Sequence, residues 1–335
     1  MSENKPVSAE TKSTHLSSGQ RQLTKKEQRN LNTNHKGMFE RMSASEIVFK
    51  IISYVLLTLF ALICLYPFVF SISASMTSPD SLIDGTMVLF PVGFQFDAIV
   101  DVVMDKSFWM MYTNTLFVTL YGTVYMMVIT IFAAYALAKT NLFGNKVFNF
   151  LLVFTMWFSA GMIPTKLNYD ATKQIFSQIG IVDTKWVIVL AMGSSAFNII
   201  IMRNAFQGVP KEIEEAAVVD GANNNQILWK VFVPMSKASV ATVALFYGVS
   251  RWNGYFWAKQ EADSNYDIPL QVYIRNWIED QNNSDTYVTW WNTHSYSPDS
   301  YMYAMIVMAI IPILIIYPFI QKYFAAGVNL GGVKE

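Results

Sequence analysis

Ser107 to Ala138 reads SFWMMYTNTLFVTLYGTVYMMVITIFAAYALA, thirty-two residues without one Asp, Glu, Lys, Arg or His. The run is apolar all round, with no polar stripe at helical spacing, and Lys106 and Lys139 bracket it. About 20 mostly apolar residues suffice to cross a bilayer as a helix, and a helix without a polar face has no use for water on any side. Working outward, Ile51–Ser75, Val147–Thr165, Trp186–Met202 and Tyr301–Gln321 are likewise free of ionisable side chains. A sixth block, Ala238–Ser250, is shorter. Extending it back to Val231 crosses Pro234 and adds only Lys237, whose ammonium can snorkel to the interface. The expected fold is an all-α membrane protein with six transmembrane helices.

The composition agrees. Hydrophobic residues make up 53% of the 335 and charged residues only 14%, against roughly 25% charged in soluble domains. Lys+Arg and Asp+Glu both count 24, which leaves no basic field for nucleic acid. Cys64 is the only cysteine, so neither an intrachain disulfide nor a Cys-rich metal site can form. His15, His35 and His294 are scattered, which removes zinc and His-based catalytic schemes; no metal and no catalytic residue is expected. Residues 1–46 are rich in Ser, Thr, Asn, Gln and Lys and read as a disordered cytosolic tail rather than a signal peptide. Residues 47–335 read as the transmembrane domain. With an even number of spans both termini share one side. If that side is the cytosol, 17 of the 24 Lys and Arg lie inside, while acidic residues divide 10 inside and 14 outside. This is the positive-inside pattern.

No ionisable side chain lies inside any of the five longer blocks. Proton-coupled carriers usually keep one near the midplane, because it carries the coupling. Sodium sites made from carbonyls, and a passive channel, stay open on this ground alone. Any energy input from ATP should therefore enter through a cytosolic loop. The segment 208–234 is built for such a task. Gly208 and Pro210 end one helix and begin another, and Glu212, Glu214 and Glu215 sit in its first turns, where the positive helix end favours carboxylates. Ile213, Ala216, Ala217 and Asp220 follow at i, i+3, i+4 and i+7, giving one face of small side chains. Gly221 can turn the chain at positive φ, and Asn223 to Asn225 can cap a second short helix carrying Ile227, Leu228 and Val231. A compact helix–turn–helix knob results; an amphipathic helix lying on the membrane surface is the other reading.

At these residues a family resemblance emerges. Glu215-Ala-Ala, three residues, Gly221, nine residues and Val231-Phe-Val-Pro234 resembles the EAA loop of permease subunits in bacterial ATP-driven (ABC) importers. Val231 and Val233 stand where Ile and Leu are usual, with the spacing intact. The extended form Glu215 to Ala222 is similar to the carbohydrate-uptake branch, in particular to subunits like the smaller maltose permease. Arg251-Trp-Asn-Gly-Tyr-Phe-Trp-Ala258 is similar to multiple-sugar and aldouronate-type permeases, and the glycine-rich tail 322–335 to the carboxyl end of such subunits. The resemblance covers roughly 47–335. It implies the type I importer permease fold, bacterial cytoplasmic-membrane location, and partnership with a second homologous permease subunit, two ATPase subunits, an extracellular solute-binding protein and membrane lipid. It implies no enzyme activity and no cofactor on this chain, with ATP and Mg bound by the partner ATPase. Glu214, Glu215, Ala216, Ala217, Asp220, Gly221, Ala222, Val231 and Pro234 would then form the coupling element, and Gly331, Gly332 and Lys334 a carboxyl-terminal contact to the same ATPase. Cargo other than sugar, such as a peptide or phosphate ester, and a stand-alone channel or carrier, are the alternatives.

Sugars are held by aromatic faces and neutral hydrogen-bonding groups. In and beside the spans these are Asn114, Tyr121, Tyr125, Trp157, Tyr247, Trp252, Asn253 and Tyr255, with Tyr247, Trp252 and Tyr255 favoured because their span follows the loop directly. Outside, the loop 259–300 carries large aromatics, among them Trp277, Tyr287, Trp290, Trp291 and Tyr296, and reads as a packed cap and platform for a binding protein. The loop Ser75–Lys106 holds Asp80, Asp84, Asp97, Asp101 and Asp105, whose spacing fits no calcium loop and reads as a solvated surface.

Overall fold

The computed structural model describes residues 43–86, 89–139, 142–158, 161–180, 184–261, 268–281 and 284–328. Residues 1–42 and 329–335, with Gly331, Gly332 and Lys334, lie outside them. Among the described residues every regular element is a helix. In chain order these are α1 (Ala44–Ala74), α2 (Pro79–Ile83), α3 (Asp97–Met104), α4 (Lys106–Ala138), α5 (Asn145–Trp157), α6 (Met162–Gln178), α7 (Thr184–Ala191) and α8 (Ala196–Gln207). Then follow α9 (Lys211–Val219), α10 (Asn224–Ile227), a wide π turn (Leu228–Phe232), α11 (Val233–Met235), α12 (Lys237–Trp252), α13 (Phe256–Glu261), α14 (Leu270–Asp280), α15 (Ser284–Thr293) and α16 (Pro298–Val328).

Contacts divide the chain within α1, between Leu65 and Tyr66. The first unit's described helix, Ala44–Leu65, presents exposed Val, Leu, Ile and Phe around its whole circumference. In the second unit α4 is the axis, with α12, α8, α7 and α14 packed along it. Small residues let the backbones approach: a Cβ on Gly248 of α12 would lie 3.8 Å from Thr123 Oγ1 of α4. One apolar core joins α3, α4, α7, α14 and α16 through Val102, Phe108, Met111, Leu270 and Met305. A second joins α4, α8, the π turn and α12 through Met126, Met202, Phe206, Leu228 and Phe232.

Among the described residues, three helices are long and apolar enough to cross a membrane unaided, within Ser45–Ala74, Lys106–Ala138 and Pro298–Pro318, and three bent pairs reach that standard together. The bends correct the sequence reading. Val147–Thr165 is not one helix: α5 ends at Trp157, and α6 begins after Gly161, whose φ of +84° no β-carbon favours, with Pro164 in its first turn. Trp186–Met202 breaks between α7 and α8, whose axes meet at 55°. Gly193 turns the chain at φ +67° there, and Ser195 caps the new helix by accepting from Asn198 N–H. The extension of the sixth block back to Val231 is not one straight helix either, because α11 and α12 meet at 87°. The helix grows in the other direction, over Arg251 to Trp252.

Candidate functional site

The segment 208–234 folds as a knob on the second core. Gly208 closes α8, and Pro210 precedes α9. α9 ends in a paired turn: Gly221 N–H donates to Val218 O at 3.0 Å and Ala222 N–H to Ala217 O at 3.0 Å. Gly221 sits at φ +82°, the left-handed conformation that this closure needs. Asn223 and Gln226 then cap one another reciprocally, each side chain accepting the other's backbone N–H at 2.9 Å. Ala217, Ala222, Val231 and Val233 pack inward on the core around Phe232. Ala217 therefore leaves the face predicted for it, while Ile213, Glu215, Ala216, Val218, Val219, Asp220 and Pro234 remain outward. Glu214 is half-buried against Lys139. Lys139, at the end of α4, lies 3.2 Å from its Oε1, donates to Asn224 Oδ1 at 2.9 Å and stands 4.6 Å over the Tyr135 ring. One cation thus ties both arms of the knob to the axial helix. A groove of about 870 Å³ between α9, Lys139 and the end of α8 opens beside Glu214, Glu215 and Val218.

The break between α7 and α8 makes a second feature. A cavity of about 330 Å³ is lined by Ser194, Ser195, Asn198, Tyr247, Ser250 and Arg251 with apolar neighbours. The Tyr247 hydroxyl lies 2.7 Å from Thr130 Oγ1 and accepts the Ser195 backbone N–H at 3.1 Å. It holds the first turn of α8 to the axial helix. Arg251, only 4% exposed, donates to Ile188 O at 3.0 Å and Val189 O at 3.3 Å. These are carbonyls in the last turn of α7 that the break leaves without helical partners. α12 runs on past the sixth charge-free block and buries a guanidinium near its end, while the five longer blocks remain free of Asp, Glu, Lys, Arg and His.

The eight candidates in and beside the spans separate: Tyr125 packs on the second core, and Asn253 donates to Val249 O at 3.1 Å within its own helix end. Tyr247 lines the cavity, and Trp252 is buried beside it against Tyr112, ring centroids 5.7 Å apart. Asn114 is buried and donates to Ile268 O at 3.1 Å. Tyr121 packs at a tilt against Phe117 and Trp186, and Tyr255 is half-buried near Lys259. Trp157, 81% exposed at the end of α5, joins none of them. Sequence reasoning missed Ser194, Ser195, Asn198, Ser250 and Arg251. The signal for Arg251 was its place directly after a charge-free block.

Of the five acids between Ser75 and Lys106, Asp80 and Asp84 are exposed as read, while Asp97, Asp101 and Asp105 are not plain solvated surface. Asp97 accepts from Gln95 Nε2 and Ser295 Oγ, both at 2.9 Å, and these bonds hold its carboxyl below the usual range. Tyr296 donates to Asp101 at 2.7 Å, while Tyr301 and Tyr273 donate to Asp105 at 3.0 and 3.3 Å. Burial, with the Asp105 charge added, pushes the Tyr273 hydroxyl up to about 12. Trp277 and Trp290 pack edge-on at 4.9 Å above them, so the described part of 259–300 forms a packed cap clamped onto α3.

Long apolar helices, two broken pairs meeting over a polar cavity and an outward knob define a membrane transport component. The binding-protein-dependent transport system inner membrane component family matches residues 140–330, and the chain belongs to that family. The polygalacturonan/rhamnogalacturonan transport system permease protein YtcP of Bacillus subtilis (strain 168) is 35% identical over 288 residues, covering 86% of this chain and 98% of that protein. Protein LplC of the same organism is 35% identical over 277 residues, covering 81% and 90%. The crystal structure of a bacterial ABC transporter involved in the import of the acidic polysaccharide alginate superposes with a TM-score of 0.75 at 43% identity, covering 84% of this chain and 99% of that one. The resemblance to carbohydrate-uptake ABC permeases is thereby shown.

Proposed function

We propose that this chain is the membrane-spanning permease subunit of an ATP-driven, binding-protein-dependent importer of an oligosaccharide, with six spans and both termini cytosolic. Each bent pair counts as one span on this reading. The chain supplies half of the pathway, a second homologous permease subunit the other half, and the extracellular cap receives the solute-binding protein. The observation that carries the reading is the knob. α9 presents Glu215, Ala216, Val218 and Val219 outward, and Lys139 fixes it to the axial helix through Glu214 and Asn224. Motion imposed on α9 by an ATPase subunit is delivered to α4 and α12 without a flexible link. No nucleotide chemistry is needed on this chain. ATP and Mg belong to the ATPase, and the sugar cargo follows from the named relatives.

The test is copurification with a nucleotide-binding subunit and ATP-dependent uptake in a strain lacking the native permease. Glu215→Lys and Gly221→Asp are expected to abolish both association and uptake while the protein still reaches the membrane. If both variants associate and transport at wild-type rates, α9 is not the coupling element.

A further inference from the structure

Nothing in its own backbone fixes the bend between α7 and α8. Gly193 carries the turn at φ +67°, and a Cβ built there meets nothing within 4 Å. Glycine accepts many other backbone angles, so local sterics do not hold the 55° between the two axes. A helix interrupted inside a membrane also leaves backbone groups that need partners from elsewhere. Side chains of other helices supply them here. Arg251 donates through Nη1 to Ile188 O and through Nη2 to Val189 O, with Nη1 also 2.7 Å from the Met192 sulfur. Asn168 of α6 donates to Ala191 O, which ties the same end of α7 to α6. At the start of α8 the Ser195 N–H goes to the Tyr247 hydroxyl, which also pairs with Thr130 of α4.

Tyr247 and Arg251 stand four residues apart on α12, hence on one face and about 6 Å apart along the axis. That face straddles the break, with one residue tied to each side of it. α8 packs along both α4 and α12, whereas α7 packs chiefly on α4, α6 and α13. α12 therefore reaches α7 through the Arg251 side chain. Its stem lies on Gly122 of α4, where a Cβ would come 2.9 Å from Arg251 Nε. The planar fork at its tip suits two carbonyls one residue apart in a way that a single ammonium does not. At its other end α12 starts at Lys237, directly after the knob. From there to Arg251 is about 21 Å of helix.

We infer that Tyr247 and Arg251 are positioning residues of the transport cycle: through them α12 fixes the bend of the α7/α8 span, so that both halves follow α12 when the knob moves. The inference rests on the importer reading and adds to it how movement at the knob is handed across the membrane. With either tie removed, the two halves flex about Gly193 instead.

The experiment uses the complete importer, with its ATPase and binding-protein partners, in lipid nanodiscs. Cys64→Ser removes the chain's one cysteine, and spin labels are attached at Lys185→Cys on α7 and Asn204→Cys on α8, across the break. The distance between the labels is measured without nucleotide and with ATP trapped by vanadate. The labelled parent, with Tyr247 and Arg251 intact, is expected to keep that distance within about 2 Å between the two states. Arg251→Gln and Tyr247→Phe, each at parental ATPase association, should shift by more than that between the states. A role in fold stability alone would alter the distance equally in both. If Arg251→Gln does not assemble, Gly122→Ala, which displaces the guanidinium and keeps its charge, should show the same shift in its place. A state-dependent shift in the parent overturns the inference, and so does the absence of one from either variant; the importer reading survives both results. A parent complex that neither binds its ATPase subunit nor hydrolyses ATP removes the importer reading and the inference together.

Discussion

Replacing Gly221 by alanine isolates the turn that closes α9. The residue sits at φ +82°, and a Cβ built there meets nothing within 4 Å. Gly221→Ala therefore adds no steric conflict; its whole effect is conformational. Holding an L-residue in the left-handed region costs about 1–2 kcal/mol. That shifts the ratio of closed to open turn by roughly 5–30-fold. Opening it releases the hydrogen bonds from Gly221 to Val218 and from Ala222 to Ala217, and with them the inward packing of Ala217 and Ala222. The assay is ATP hydrolysis and uptake in proteoliposomes carrying the complete importer with its ATPase and binding protein. Coupled uptake is expected to fall by up to that factor, and Gly221→Asn, which tolerates the left-handed region, should recover part of it. Uptake within twofold of wild type for Gly221→Ala, in a system where Glu215→Lys uncouples, would refute the requirement for a rigid turn.

Two further outcomes test the packing around these sites. Tyr247→Phe removes the hydroxyl that pairs the fully buried Thr130 with the half-buried Ser195 N–H; leaving the Thr130 hydroxyl unsatisfied costs about 1–3 kcal/mol, so the thermal midpoint in detergent should drop, and an unchanged midpoint would contradict the assignment. Tyr273 has its hydroxyl raised to about 12 in the fold by burial and by Asp105. Its neutral form therefore stabilises the cap fully below the free tyrosine value of about 10, and that contribution is lost as pH rises from there through 12. Trp277 and Trp290 fluorescence should report loosening over that window in wild type, with an attenuated response in Tyr273→Phe; identical titrations would exclude Tyr273 as the group responsible.

The knob was legible in sequence almost residue by residue, because its determinants are local. Gly208 and Pro210 stop and start helices, Gly221 alone accepts the left-handed turn, and Asn223 with Gln226 caps within three positions. The long apolar helices α1, α4 and α16 were legible for a similar reason, since solvation by lipid requires only composition over length. The breaks were not. Hydropathy reports how apolar a block is and not whether its helix continues, so Gly161 and Gly193 are ordinary apolar positions in sequence, and only their positive φ in the fold marks the breaks. The inward turn of Ala217 depended on where Phe232 packs, and the fate of Asp97, Asp101 and Asp105 on tyrosines and serines about 170–200 residues away.

Sequence by itself determined that this chain lives in a membrane, which side its knob faces if the tail is cytosolic, and which family it belongs to. Charge distribution and short-range spacing carry all three. Only the tertiary structure decided the fate of Arg251. In sequence it marks the end of an apolar block; in the fold it is buried at a helix break, anchored by two carbonyls of α7 and seated on Gly122 of α4. A side chain's electrostatic environment is set by three elements brought together from positions 122, 188–189 and 251, and no local pattern encodes that meeting.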